Sequence, residues 1–193
     1  MLRILHRVND PAELADTDPS WGVEMDVHAY GDRLVVQHEA FRDGPELAAW
    51  LDAYRHRFVV FNVKEEGIES RLLAEVLERG IENFFLLDLS FPALVGLARS
   101  GERRVAIRVS VHEPATGALS LAGKVGWVWL DMFSPAPLDA TSHRALQDAG
   151  FKICLVSPEL HGRDVVEITA LRKYLDSMKL SVDAVCTKHP DLW

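Results

Sequence analysis

The sequence has few cysteines. Cys154 and Cys186 are the only two among 193 residues, and they stand far apart with neither a CxxC nor a Cys/His zinc spacing. This spacing argues against a cysteine-based zinc site. Because cysteine is among the most often buried residue types and both fall in strand-like segments, we expect two buried free thiols.

Long apolar runs and blocks of basic residues are also missing. No segment approaches the roughly eighteen uninterrupted apolar residues that span a bilayer, and the opening MLRILHRVND turns polar too early for a signal peptide. The net charge is −8 with Lys and Arg interspersed, which argues against nucleic acid and anionic membranes as partners. We therefore expect a cytoplasmic protein with no membrane insertion and with a small-molecule ligand.

No linker-like or low-complexity run divides the chain, and 48% hydrophobic residues suffice for one sizeable core, so 1–193 are predicted to form a single domain. Within it, strand-like and helix-like patterns alternate. The strand-like segments are 3–8, 22–30, 33–39, 57–64, 83–91, 104–111, 126–133, 151–157 and 182–187. The helix-like segments are 44–57, 69–80, 92–102, 116–124, 139–150 and 165–179.

This alternation predicts a parallel sheet. Taking 33–39 as a hairpin return on 22–30 leaves eight strands, the number that closes a TIM-type barrel. Such barrels usually take about 250 residues, so this one must be compact. Residues 9–21 are too short and too broken for a full helix. We predict an α/β fold, a compact (β/α)8 barrel lacking a full helix after the first strand; a doubly wound open sheet is the alternative, although no GxGxxG follows a strand.

Polar residues crowd the carboxyl ends of the predicted strands, where a (β/α)8 barrel builds its site. Glu24 and Asp26 lie late in the second strand and share one face, because side chains alternate along a strand. Histidines there suit proton transfer near neutral pH, carboxylates can hold a hard divalent cation, and Lys or Arg can bind an anion. Together these groups point to a phosphoester. The candidates are His6, Arg7, Glu24, Asp26, His38, Lys64, Arg108, Asp131 and Lys188.

Several short motifs follow one another along nearly the whole chain. They are the pair His6-Arg7, then GVEMDV, YGDR, VVQHE, FNVKEE, the pair Ser90-Phe91 and a final VDAVCTKHPDL. This order resembles the glycerophosphodiester phosphodiesterase family, within the wider group of phosphatidylinositol-specific phospholipase C-like barrels. The opening segment and the final motif are the most specific, and the middle strands match weakly.

The resemblance implies a hydrolase that cleaves a small soluble phosphodiester resembling a glycerophosphodiester, through in-line attack by a substrate hydroxyl that first gives a cyclic phosphate. In that family two histidines act as general acid and base, which here would be His6 and His38, with Arg7 on the phosphate. The remaining candidates for substrate or phosphate binding are Lys64, Arg108, Asp131 and Lys188.

The resemblance also implies a divalent cofactor, Mg²⁺ or Ca²⁺, held by Glu24 and Asp26. FNVKEE places Lys64 where the family has a third carboxylate, and an ammonium group repels a cation. Two alternatives stay open: Glu66 supplies the third ligand through a bulge in the strand, or Lys64 replaces the ion electrostatically. The family's PENT segment is absent as well, since this chain reads HRVNDPAEL.

A rival hypothesis is a catalytically degenerate barrel that binds a phosphorylated or sugar-phosphate ligand without cleaving it. Lys64, Lys188 and the absent PENT segment favour this rival, and the two retained histidines oppose it. Glu24 and Asp26 could equally pair with nearby cations in a structural ion network, and exposed apolar helix faces could make a homodimer.

His161 follows the seventh barrel strand, as a phosphate ligand or simply in an exposed loop. The other histidines are expected at the surface: His28, His56, His112, His143 and His189.

Overall fold

Strands and helices alternate through the computed structural model, which describes residues 1–133 and 139–193. The strands are β1 (Leu2–Leu5), β2 (Gly22–Tyr30), β3 (Arg33–Val36), β4 (Phe58–Val63), β5 (Phe84–Leu87), β6 (Ala106–Val109), β7 (Trp127–Leu130), β8 (Lys152–Val156) and β9 (Ala184–Thr187). The helices are α1 (Pro11–Asp16), α2 (Leu47–Ala53), α3 (Glu69–Glu78), α4 (Phe91–Arg99), α5 (Ala115–Leu119), α6 (Ala140–Asp148) and α7 (Val166–Met178), with 3₁₀ turns at Pro158–His161 and Pro190–Leu192.

Eight parallel strands form a nearly closed TIM-type barrel. Their order is β5-β4-β2-β1-β9-β8-β7-β6, and β3 pairs antiparallel with β2 as a hairpin. The two ends of this order meet through a single parallel bridge, Leu86↔Val105, where the Leu86 N–H donates to the Arg104 carbonyl at 2.9 Å. The predicted barrel and its hairpin are confirmed, and the alternative of an open sheet is wrong.

The connection after β1 is short, as expected. Asp10 caps α1 by accepting from the Ala12 N–H at 2.7 Å, and Pro11 occupies the first turn, where its missing N–H is harmless. The helix stops after six residues because Thr17 turns extended. This confirms that the barrel lacks a full helix after its first strand.

Side chains along the strands alternate between two apolar layers. The inner layer fills the barrel and includes Phe85 and Trp127, whose ring centroids lie 4.8 Å apart. The outer layer packs against the helices and includes Met25 of β2. Cys154 and Cys186 belong to the inner layer as buried free thiols, which confirms the prediction, and burial raises the pKa of both.

Most strands end earlier at their carboxyl ends than the sequence pattern predicts. β1 ends at Leu5 and β5 at Leu87, so His6, Arg7 and Asp88 begin loops. The backbone causes this, because Arg7 has φ 61° and Asp88 has φ 59°, in the left-handed region that ends an extended strand. A residue other than glycine is strained in this left-handed conformation, and such backbone strain often occurs at functional sites.

Three histidines expected at the surface are buried, so that prediction is wrong for them. Each has a ring nitrogen close to a backbone carbonyl: His28 Nδ1 lies 2.7 Å from Ala29 O, His56 Nε2 3.2 Å from Thr17 O, and His143 Nε2 2.8 Å from Ser181 O. The carbonyl contact satisfies one ring nitrogen of each buried imidazole. The second nitrogen of two of them, His28 Nε2 and His56 Nδ1, is buried without a partner among the described residues.

No helix in the described ranges is long and apolar enough to cross a membrane. The cytoplasmic location and the single domain over 1–193 stay predictions.

Candidate active site

Glu24 and Asp26 lie on the inward face of β2, where each side chain is 1% exposed. The Arg7 backbone N–H donates to Glu24 Oε2 at 2.7 Å, and the Asn62 amide donates to Glu24 Oε1 at 2.9 Å. Burial first and the Asp26 charge second raise the pKa of Glu24 to about 7, although both hydrogen bonds oppose the rise. Glu24 can therefore hold a proton near neutral pH.

Each oxygen of Asp26 faces a donor or a cation. Asn9 donates its amide to Oδ2 at 2.9 Å and accepts from the Asp26 N–H at 2.9 Å. Lys64 Nζ lies 3.2 Å from Oδ1, and Arg7 Nε lies 3.6 Å from Oδ2. Asp26 is thus paired by residues that follow β1 and β4, the two parallel neighbours of β2.

Contacts of alternating charge continue from Asp26 along the carboxyl end of the barrel. Lys64 Nζ lies 3.7 Å from Asp88 Oδ2, and the Arg108 guanidinium donates to both Asp88 and Asp131. His161 Nε2 lies 3.1 Å from Asp131 Oδ1 without a hydrogen-bonding angle. These groups follow one another as their strands do in the barrel. We name them the charged arc: Arg7, Asp26, Lys64, Asp88, Arg108, Asp131 and His161.

His6 lies beside Glu24 at the inner end of this arc. Its Nε2 is 3.7 Å from Glu24 Oε2, and its buried Nδ1 has no hydrogen-bond partner among the described residues. Burial first and the Arg7 charge second lower the pKa of His6 to about 4, and the charges of Lys188 and Lys64 add to this. His6 is therefore neutral at pH 7 and able to accept a proton.

His38 lies at the rim of the same mouth. The preceding residue ties the end of β3 to the site, because the Gln37 N–H donates to the Asp26 carbonyl at 3.1 Å. His38 is 35% exposed, and its Nδ1 lies 2.8 Å from Glu39 Oε1. His38 and then Arg7 lower the pKa of Glu39, so this pair lies within electrostatic reach of Arg7.

Lys188 is exposed and follows β9, the strand that pairs with β1. Its backbone N–H donates to Glu159 Oε1 at 3.0 Å, and the Thr187 hydroxyl donates to the same oxygen at 2.6 Å. Hydrogen bonds from Ser157 first and Thr187 second outweigh burial and lower the pKa of Glu159. Glu159 thus fixes the start of the loop that carries Lys188.

The donor set does not fit a divalent cation. Glu24 and Asp26 supply two carboxylates, but the third position holds Lys64, whose ammonium contacts Asp26. β2 and β4 stay in regular register from Gly22↔Phe58 to Val27↔Val63, so no bulge within it brings the exposed Glu66 toward the pair. Across the described ranges, no group of three or more His, Cys, Asp or Glu side chains is arranged to hold a metal ion.

No protein-family model and no curated protein matches the sequence. Solved structures do match. A glycerophosphodiester phosphodiesterase from Agrobacterium tumefaciens str. C58 superposes with a TM-score of 0.73 over 100% of this chain and 97% of that chain, at 18% identity. A glycerophosphoryl diester phosphodiesterase from Parabacteroides distasonis ATCC 8503 gives 0.67 over 99% and 84%, at 9% identity. The chain has the fold of these phosphodiesterases.

Within this phosphodiesterase fold, the structure brings some candidates into contact and leaves others apart. In contact at the inner end of the arc are His6, Arg7, Glu24, Asp26 and Lys64. Arg108 and Asp131 pair further along it, while His38 and Lys188 lie on the rim. The roles of all of them stay predictions.

The candidate set leaves out other members of the site, although two of them stand among the polar residues at the predicted strand ends. Asn62 and Asp88 carry the same signal as the predicted pairs, since each stands two residues before another polar residue at a strand end. His161 lies in a loop already placed on this face. Asn9 carries no signal, because it lies beyond β1 and outside any strand alternation.

Proposed function

We propose that this protein hydrolyses a small phosphodiester without a resident divalent cation. The observation that carries the proposal is the neutral His6 imidazole lying beside the arginine and lysine of the charged arc, at the carboxyl end of a phosphodiesterase-type barrel. This chemistry needs cations that attract a phosphate and a base that is free of its proton at neutral pH. A pKa of about 4 makes His6 a weak base in the unliganded site, and the negative charge of a bound phosphate raises that pKa by offsetting the neighbouring positive charges.

In the proposed first step, a hydroxyl of the substrate attacks phosphorus and His6 takes its proton. The new O–P bond forms as the bond to the leaving alcohol breaks, and the leaving oxygen takes a proton from His38. Water then opens the resulting cyclic phosphate, with the two histidines exchanging roles. Glu39, 2.8 Å from His38 Nδ1, orients that ring.

Arg7 and Lys64 supply the positive charge for the phosphate. The Arg7 side chain is nearly half exposed, so its guanidinium can reach a ligand while its backbone N–H stays bound to Glu24. Lys64 balances Asp26 and Asp88 and lies where a metal ion would otherwise be needed. Its charge stabilises the developing negative charge on phosphorus.

The test is hydrolysis of glycerophosphodiesters, which carry the attacking hydroxyl, in Mg²⁺, in Ca²⁺ and in excess chelator; bis(p-nitrophenyl) phosphate, which lacks that hydroxyl, should not be turned over. We expect turnover that survives the chelator and that falls at least about a hundredfold in His6→Ala. His189→Ala is the matched control, because it removes an exposed histidine whose side chain lies outside the arc. Equal turnover in both variants would refute the histidine assignment, and turnover abolished by the chelator would refute the metal-free mechanism.

A second candidate function is binding of a phosphorylated ligand without cleavage. It is favoured by the charged arc itself, in which every carboxylate already has a cationic partner, as in a structural ion network. A thermal-shift screen separates the two, because a ligand that binds only the folded state raises the melting temperature. Stabilisation by phosphodiesters with no product formed would establish the binder.

A further inference from the structure

A cleft of about 550 Å³ opens beside the charged arc, between the beginnings of α4 and α5. This volume falls in the range of small-molecule pockets. Asp88 and Arg108 of the arc form part of its wall, and most of the remaining lining is apolar. The apolar lining includes Leu87, Leu89, Leu94, Ile107, Pro114 and Ala118.

The cleft exists because β5 and β6 part toward their carboxyl ends. Their contact in the described structure is the bridge Leu86↔Val105, whereas the neighbouring strands stay paired further, to Asn62↔Leu87 between β4 and β5 and to Val109↔Leu130 between β6 and β7. Beyond the bridge, the Asp88–Arg108 ion pair spans the opening. The barrel wall is therefore open from the charged arc toward the helices.

Two large apolar side chains beside this opening are unusually exposed. Phe91 is 60% exposed and Phe133 is 48% exposed. Phe91 lines the cleft, and the Phe133 ring lies 6.0 Å from the ring of His112, another lining residue. Exposed apolar side chains grouped at a pocket mouth are typical of a ligand-binding groove.

The phosphate position and the cleft are close neighbours. Lys64 Nζ is 3.7 Å from Asp88 Oδ2, and Asp88 belongs to the cleft wall. We propose that the cleft binds an apolar alcohol group of the phosphodiester, an alkyl chain, while the phosphate stays at the charged arc. The proposal rests on the proposed function for the place of the phosphate, and it names the chemical class of one of the two alcohols.

Two glycines allow a matched test. Gly117 of α5 lines the cleft, and a Cβ built there meets no atom within 4 Å. Gly96 of α4 is equally unobstructed but does not line the cleft. Leucine at either helical position improves helix propensity, so both variants should fold. Gly117→Leu fills the cleft, and Gly96→Leu is its control.

The measurement is calorimetric affinity for ethyl, butyl and hexyl phosphate in the wild type and both variants. We expect the wild type and Gly96→Leu to gain about fourfold in affinity for each methylene that is buried. Gly117→Leu should lose this gain and keep the affinity for ethyl phosphate. The proposal is overturned if wild-type affinity is independent of chain length, if Gly117→Leu keeps the dependence, or if none of the three alkyl phosphates binds.

Turnover of the matching glycerol alkyl phosphodiesters, which carry the hydroxyl that the proposed first step needs, is measured in parallel and separates this proposal from the proposed function. Chain-length-dependent binding that Gly117→Leu removes, with no turnover of any diester, would support the cleft and refute the hydrolase. Turnover together with an affinity that does not depend on chain length would support the hydrolase and refute the proposal for the cleft.

Discussion

The Lys64 ammonium nitrogen lies 3.2 Å from Oδ1 of Asp26 inside the mouth of the barrel. Asp26 is almost fully buried, and a buried carboxylate needs a compensating charge or donor. Here the chain supplies that charge itself, at the position where a hard divalent cation would need another oxygen ligand. Lys64 thus compensates one of the two carboxylates on this strand face, and hydrogen bonds from Asn62 and the Arg7 N–H satisfy the other, Glu24.

Replacing this lysine should create a metal site. Lys64→Glu places a third carboxylate beside Glu24 and Asp26, so we expect Mg²⁺ or Ca²⁺ to raise the melting temperature of the variant. At an ion concentration about 100 times the Kd, the stabilisation is about 2.7 kcal/mol. Thermal unfolding with and without each ion, against Na⁺ at equal ionic strength, measures it.

Lys64→Gln is the control for this experiment, since it removes the charge without adding an oxygen anion. It should show no ion-dependent shift. A wild type that responds to Mg²⁺ as strongly as Lys64→Glu would contradict the conclusion that the native donor set does not fit a cation.

The sequence predicts β2 at its observed bounds and predicts that Glu24 and Asp26 face inward together, because strand alternation is a local property. It overextends β1 and β5, because Arg7 and Asp88 adopt left-handed backbone angles without being glycine. No local pattern encodes such strain, which the surrounding fold imposes.

The charged arc lies beyond local reasoning for a different reason. Arg108 and Asp88 come from β6 and from the loop after β5, and their pairing requires the barrel to close first. The sequence predicts that polar groups share this end of the barrel but cannot assign their partners. Similarly, Glu66 is a sensible third ligand by spacing alone, and only the regular register of β2 with β4 excludes the bulge it needs.

Asp131 should be important for stability. Its side chain is 2% exposed and accepts from Arg108, so Asp131→Asn leaves a largely buried guanidinium with one charged partner fewer. Breaking a buried ion pair from one side costs on the order of 3 kcal/mol, whereas replacing both partners by apolar groups can be nearly neutral. Urea unfolding of Asp131→Asn and of the double variant Asp131→Leu/Arg108→Met tests this.

Asp43→Asn is the matched control, because it breaks the exposed pair with Arg33 and should cost about 1 kcal/mol or less. If Asp131→Asn cost no more than Asp43→Asn, the charged arc would contribute nothing to stability, and its residues would be free for ligand binding alone.

The single-domain prediction for 1–193 has a direct test. One domain unfolds in one cooperative transition, so the calorimetric and van't Hoff enthalpies should agree. Two resolved transitions would refute it.

The homodimer also stays a prediction, and sedimentation equilibrium over a dilution series decides between a monomer and a dimer.

Opposite pH dependences of stability should come from His6 and Glu24. Folding lowers the pKa of His6 from 6.5 to about 4, so between these values the unfolded chain binds a proton that the folded chain does not, and the free energy of unfolding falls as the pH falls. Folding raises the pKa of Glu24 from 4.5 to about 7, so there the folded chain holds the extra proton, and the free energy of unfolding falls as the pH rises. In the wild type the two contributions to the free energy of unfolding have opposite pH dependences, so they offset each other over the pH range in which both groups titrate.

Single variants should separate these contributions. His6→Asn removes the His6 contribution, so relative to the wild type the variant should become less stable as the pH rises from 4 to 6.5. Glu24→Gln removes the Glu24 contribution, and the variant should gain stability relative to the wild type as the pH rises from 4.5 to 7. Urea unfolding at half-unit pH steps gives the difference curves, in which the other carboxylates cancel. If the difference curves are flat for both variants, neither group has a shifted pKa. The assignment of His6 as a base that is neutral at pH 7 would then be refuted.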